Sequence, residues 1–345
     1  RSRVLVWDPT NLWSYEGTPG HKDKLYNTIK NAYNKGFDVT RLQGTKANPR
    51  HLTEAELAGL DQYDLIVFDC ATVDLTTEEF NAYLEYLNNG GRILFQVENA
   101  QSNASTNLRN QMNTISSRIA QSLGGQFTAH AGEVVSANTR AKKWTTPERA
   151  AELTKDMSDS WGVNVGAYIT SSSDKVYPLM TAKTTTGKNS YVICDQDAGN
   201  RDGSQWGALT IVGDTDVFYY SATTPNASTG GSFIRNLVLN TVTRRISAAA
   251  GVNPNSEFNE WQATTTTTTE ATNYRTPYAA LQKAVENNTV TLLLKSRGGA
   301  VNATRDELLF EKSTLAYAAN SKYDGSTIHA DTAGVYLDIT KTGEV

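Results

Sequence analysis

Cysteine is nearly absent: Cys70 and Cys194 are the only two. That excludes a disulfide-stapled scaffold and leaves either a single bridge between them or two buried free thiols. Histidine is almost as scarce. The four residues His21, His51, His130 and His329 show no ligand spacing, so no zinc or other metal site and no cofactor is expected. No run of about 18 apolar residues occurs, which excludes a membrane-spanning helix of the usual kind. Basic excess is lacking too, with 32 Lys and Arg against 36 Asp and Glu and a net charge of −4. Nucleic acid and anionic membranes reward clustered cations, so neither is expected as a partner. The longest basic stretch, Arg140–Lys143, reads as ordinary surface. Nor does an apolar leader precede the strand-like RVLVWD, which fits a cytosolic start or a chain whose leader has been removed.

What is present is polar and rich in Thr and Asn. Thr264–Thr269 is an unbroken threonine tract, and Asn103, Asn226, Asn287 and Asn302 each open an Asn-x-Ser/Thr acceptor triplet. Asn- and Thr-rich chains produce such triplets by chance. Four together make glycosylation candidates and favour an extracellular or cell-surface location, with the periplasm as a further option.

The 345-residue chain is long enough for a large domain and a smaller one. Residues 1–246 alternate strand and helix patterns. Val4–Asp8 is a strand, and Leu25, Ile29 and Ala32 share one helical face before Gly36. Phe37–Leu42 is the second strand. Thr53-Glu-Ala-Glu56 and Thr76-Thr-Glu-Glu79 are capping boxes. Asp64–Cys70 is a continuous apolar run, as a parallel strand buried on both faces requires. Ile93–Val97 is the fourth strand. A long polar helix from about Thr106 comes next, then strands near Val165–Thr170, Val176–Thr181, Ser190–Cys194 and Gly207–Gly213, and a closing helix. The expected fold class is α/β, an open and mostly parallel sheet with helices on both faces. Residues 247–272 read as a Thr-rich linker. Residues 273–345 read as a small α+β module or assembly extension, in which Val335, Leu337 and Ile339 share one face of an alternating strand.

The stretch DLIVFDCATVDLTTEEFNAYLEYLNNGGRILFQVE, with GALTIVGDTDVFYY further on, resembles class I glutamine amidotransferase-like domains. The likeness is to their non-catalytic and trehalose-utilisation-type branches, including domains of gliding-motility and intraflagellar-transport proteins, and it covers roughly residues 3–246. In the catalytic members the fourth strand ends in a Gly-x-Cys-x-Gly elbow that exposes a thiolate. Here Phe95-Gln-Val-Glu-Asn99 stands in that place and Val97 takes the nucleophile position. The resemblance therefore implies the fold without the activity.

Asp8, Asp69, Glu98 and Asp214 fall at predicted carboxyl ends of strands, the edge where open α/β sheets bind ligands. They could hold a divalent cation or serve as a glycosidase-type acid–base pair, but strand-end carboxylates more often cap the turns that follow. Asp195, Asp197 and Asp202 lie in a stretch with Gly199 and Gly203 that reads as a solvated turn. Trp7, Trp13 and Tyr15 near the first strand could stack on a sugar, or simply anchor a loop. Cys70 has no neighbouring cation to activate it.

The leading expectation is a non-catalytic structural protein, exported and assembling with copies of itself into a filament, sheath or layer through its C-terminal strand. A carbohydrate-active hydrolase and a sugar- or peptide-binding module are the alternatives.

Overall fold

The computed structural model describes residues 2–16, 19–33, 36–99, 106–135, 139–144, 148–198, 207–218 and 226–249, together with backbone strands at 261–265, 272–274, 291–296, 301–304, 327–331 and 334–338. The chain is α/β, as its alternation predicts. Five strands run parallel at the heart of one sheet: β1 (Arg3–Asp8), β2 (Asp38–Gln43), β3 (Leu65–Asp69), β4 (Arg92–Gln96) and β11 (Gly207–Val212). Their order is β2-β1-β3-β4-β11. Beyond β11 the sheet continues antiparallel through β10 (Asn189–Ala198), β9 (Val176–Lys183), β6 (Thr139–Lys143) and β7 (Ser160–Val163), nine strands in all. β5 (Thr128–Val135) and β8 (Gly166–Thr170) form a separate antiparallel pair.

The helices divide between two faces because the strand residues alternate between them. Val4, Val6, Leu65, Val67, Leu94 and Val212 pack with α1 (Lys24–Asn31) and α6 (Asn226–Ala249). Leu5, Trp7, Ile66, Phe68, Ile93, Phe95 and Ile211 pack with α3 (Thr77–Asn88) and α4 (Thr106–Ser122). Both predicted capping boxes form. Thr53 opens α2 (Glu54–Ala58) and Thr76 opens α3, each exchanging bonds with the glutamate three residues on. α5 (Glu148–Leu153) covers part of the antiparallel extension.

One ion pair lies inside the sheet. Arg92 on β4, 1% exposed at its side chain, reaches Asp195 on β10 at 2.6 Å across β11. It also donates to Thr210 and Asn240, each at 2.6 Å, and Tyr177 donates to the other Asp195 oxygen at 2.9 Å. Asp195 and Asp197 therefore belong to strand β10 and not to the solvated turn expected there; Asp202 lies outside the described residues.

Cys70 and Cys194 are free and buried. Cys70 follows β3 and Cys194 sits in β10, with β4 and β11 between them. Three strand spacings of about 4.8 Å put the two strands about 14 Å apart, too far for a disulfide. Of the two open readings, free thiols is the one realised.

The stretch read as a linker holds the last turn of α6 and strand β12 (Trp261–Thr265). With β13 (Thr272–Tyr274), β14 (Thr291–Ser296) and β15 (Val301–Thr304), β12 forms a four-stranded sheet. β16 (Thr327–Asp331) and β17 (Gly334–Asp338) form a hairpin in which Leu337 faces Ile328 in register. Val335 and Leu337 thus lie in β17, while Ile339 falls outside the described residues. Asn226 is the first residue of α6 and Asn302 lies in β15; Asn103 and Asn287 are outside the described residues. No helix among the described residues is long and apolar enough to cross a membrane.

Candidate functional site at the carboxyl edge of the sheet

The parallel strands all end at one edge, and the four predicted carboxylates come there together. Asp8 closes β1, Asp69 closes β3, Glu98 lies two residues beyond β4, and Asp214 two beyond β11. All are buried, at 3%, 4%, 4% and 1% exposure. Sequence reasoning passed over four partners. Arg41 and Gln43 on β2, His21 in the loop after β1, and Asn164 between β7 and β8 are distant in the chain and carry no motif of their own. Asp216, two residues past Asp214, also joins the edge.

The edge has two halves. On the β4–β11 side the carboxylates are held mostly by backbone amides. Glu98 accepts from the Thr215 N–H at 2.7 Å and from Asn99 through both its backbone N–H (3.3 Å) and Nδ2 (3.2 Å). Asp214 accepts from the Asn164 N–H at 2.7 Å and the Asp216 N–H at 3.0 Å. Asp216 accepts from Asn164 Nδ2 at 2.9 Å, and His21 Nε2 lies 3.2 Å from it. Burial is the main cause pushing the Asp214 carboxyl well above its ordinary range, with Glu98 and Asp216 adding repulsion. Asp216 is raised, chiefly by burial, and His21 is lowered, again chiefly by burial and against the pull of Asp216.

On the β1–β3 side the donors are fewer. Gln43 Nε2 donates to Asp8 Oδ2 at 2.9 Å, and Arg41 approaches the same oxygen at 3.8 Å while it donates to Asp23 at 2.8 Å and to Lys22 O at 2.7 Å. Burial raises Asp8 to about 6, against the opposing pull of Gln43 and Arg41. Asp69 is pushed well above the carboxylate range by burial and then by Asp8. Cys70 follows with a left-handed backbone, φ 49°, which costs a non-glycine residue roughly 1–2 kcal/mol. Its thiol is pushed well up by burial and by Asp69, Glu98 and Asp8, the reverse of activation.

Position 97 carries no chemistry. Val97 is 1% exposed, and its N–H donates to Val212 O at 2.8 Å, continuing the β4–β11 ladder. A nucleophile elbow needs a sharp turn there that lifts the side chain away from the sheet; this backbone is still strand-paired.

The tryptophans act as anchors. Trp7 is fully buried, edge-on to Phe68 with ring centres 4.9 Å apart, and its indole donates to Arg50 O at 2.7 Å. Trp13 is 6% exposed and packs edge-on against His21 at 5.0 Å. Tyr15, half-buried, carries Lys46 Nζ over its ring at 5.2 Å. Neither Trp offers a free face for stacking on a sugar. The other histidines are engaged or distant. His51 Nδ1 meets Glu79 Oε1 at 2.7 Å, His130 meets Thr170 Oγ1 at 2.7 Å, and His329 lies in β16. Among the described residues no group of three His, Cys, Asp or Glu side chains is placed to hold a metal ion.

No family model matches the chain, and no curated protein sequence does. Several solved structures are similar to it at low identity. The "mmIFT52 N-terminal domain" is 12% identical, covering 68% of this chain and 97% of its own, with TM-score 0.46. A ThuA-like protein from Bacteroides uniformis is 14% identical, covering 70% of this chain and 91% of its own, with TM-score 0.45. A cytoplasmic protein from Salmonella typhimurium is 12% identical, covering 69% and 98%, also with TM-score 0.45.

Proposed function

We propose that the chain is a non-catalytic structural protein, exported, whose α/β domain serves as a rigid body and whose C-terminal strands join copies of it into a surface layer, sheath or filament. The observation that carries this reading is position 97, where an aliphatic side chain sits in a continuing strand with no elbow. The amide-held carboxylates around it support the same view. Glu98 and Asp214 fasten the loops after β4 and β11, a task that needs neither substrate nor solvent. The assembly element is β17. It pairs with β16 and forms no ladder with any other described strand, although β14 lies near it, and an edge without a ladder partner is suited to a neighbouring copy's strand. Export is argued from the acceptor triplets at Asn103, Asn226, Asn287 and Asn302.

Light scattering on the full chain tests the assembly. The protein is expected to form particles of many copies, and Leu337→Lys, which sets a charge on β17, is expected to return it to monomers. A wild-type chain that stays monomeric across the accessible concentration range would sink the reading.

One observation favours the hydrolase alternative: Asp8 and Asp69 end neighbouring strands and are both raised, as an acid of a glycosidase pair would be. Their burial to 3% and 4% leaves substrate little access. Turnover of aryl glycosides by the wild type, lost in Asp69→Asn, would establish that alternative.

A further inference from the structure

Four polar side chains form a row across the carboxyl edge. The parallel register sets Gln43 beside Asp8 and Asp69 beside Gln96, and the β1–β3 pairing, which matches Trp7 with Phe68, brings Asp8 beside Asp69 one residue on. Trp7, Phe68 and Phe95 point to the α3–α4 face. By strand alternation Asp8, Asp69 and Gln96 therefore lie toward α1 and α6.

Two members of the row pose a hydrogen-bonding problem. Gln96 is 1% exposed, and its Nε2 is fixed by Val97 O at 2.9 Å and Val212 O at 3.3 Å. That orientation leaves Gln96 Oε1 buried without a donor. Its register neighbour Asp69 is 4% exposed, and no hydrogen bond stands among the influences on its carboxyl, which are burial, Asp8, Arg41 and Asp23. A buried acceptor without a donor costs about 1–3 kcal/mol, and a buried carboxylate without one costs more. One proton resolves both. A neutral Asp69 carboxyl has an O–H to give, and Gln96 Oε1 is the acceptor beside it that lacks a donor.

We propose that Asp69 is a resident carboxylic acid at neutral pH, donating its proton to Gln96 Oε1, and that this proton is a pH-sensitive clasp joining β1, β3 and β4 at the carboxyl edge. The surrounding charges favour the neutral form. Facing Asp69 are Asp8 on β1, Arg41 on β2, Asp23 ahead of α1 and Cys70 at its own strand end. The single cation, Arg41, is already bonded to Asp23 and near Asp8. From α1 and α6 the described side chains packed over this face, Leu25, Ile29, Phe233, Ile234 and Leu237, are apolar and supply no charge. Loss of the proton would set two carboxylates side by side on adjacent strands, so alkaline conditions loosen the loops that follow β1 and β3.

Infrared difference spectroscopy on the full-length protein tests this. At pH 7 the wild type is expected to show protonated-carboxyl C=O absorption from which one component, that of Asp69, is lost in Asp69→Asn, whose amide can replace the donated hydrogen bond; Asp214, also raised by burial, contributes a separate component that stays. Gln96→Leu is expected to keep the Asp69 component and shift it to higher frequency, as its acceptor is gone. Protonated-carboxyl absorption that is the same in the wild type and Asp69→Asn, or an Asp69 component left unshifted in Gln96→Leu, overturns the proposal. Should a variant fail to fold, carbon-13 NMR of the wild-type Asp69 carboxyl gives the same decision: a shift typical of a neutral acid at pH 7 supports it, and that of a carboxylate refutes it.

Discussion

Asp8 shows how burial turns an ordinary side chain into a pH-dependent one. Its folded value of about 6 stands above the 3.8 of an exposed aspartate, so the folded state holds more protons between about pH 4 and 6. The Asp8 contribution to stability is then complete below about pH 4 and falls as pH rises to about 6. Asp8→Asn keeps an acceptor for Gln43 and removes the cost of ionisation. It should stabilise the protein at pH 7 by about 1–3 kcal/mol and flatten the pH 4–6 limb, as read by chemical denaturation at several pH values. Arg92 makes the opposite case. Arg92→Leu removes the ion-pair partner of Asp195, whose side chain is 0% exposed, and should cost about 3–5 kcal/mol. Arg92→Leu combined with Asp195→Leu should recover much of that loss, as thermal melting of the single and double variants would show. Neither partner was recognisable beforehand, because β4 and β10 are 103 positions apart at this contact and nothing local in either segment points to the other. The carboxylates at positions 8, 69, 98 and 214 were readable as strand ends. Arg41, Gln43, His21 and Asn164 were not, since each reaches the edge only through tertiary folding.

At the scale of elements, local signals with a mechanism translated well. The two Thr-x-x-Glu boxes formed as read, and the continuous apolar run after Asp64 became a central strand. Within residues 1–246 the strands that escaped notice, β5, β6 and β7, carry no sustained apolar alternation or are very short: TAHAGEVV, TRAKK and SWGV. Their pairing depends on cross-strand partners that periodicity along one chain does not reveal. Glu79 illustrates how an element's end can also serve the body. Besides closing the α3 capping box, its carboxylate accepts from the Leu52 N–H at 3.1 Å and meets His51 Nδ1 at 2.7 Å. Thr76→Ala should therefore cost about 1 kcal/mol, and Glu79→Ala clearly more, since it also frees a buried amide at Leu52. Urea denaturation of both variants checks the order. Gly44 is a second such point. A Cβ there would lie 2.2 Å from Pro9 O and 2.3 Å from Arg50 N, so Gly44→Ala should destabilise the loop that packs over β1.

For the molecule as a whole, one connection matters most. β11 occupies the middle of the nine-stranded sheet, between β4 and β10, yet β4 begins at Arg92 and β11 at Gly207. During synthesis the apolar β4 edge must wait for the ribosome to supply the 115 residues from 92 to 207 (207 − 92 = 115). At 5–20 residues per second that interval is roughly 6–23 s. Through that interval the nascent chain carries an unsealed β seam, open to any strand that arrives first. A chain stopped just before Gly207 should accordingly bind an apolar dye that the 345-residue chain does not, and chaperone supply during translation, more than final stability, should set how much of the protein a cell obtains.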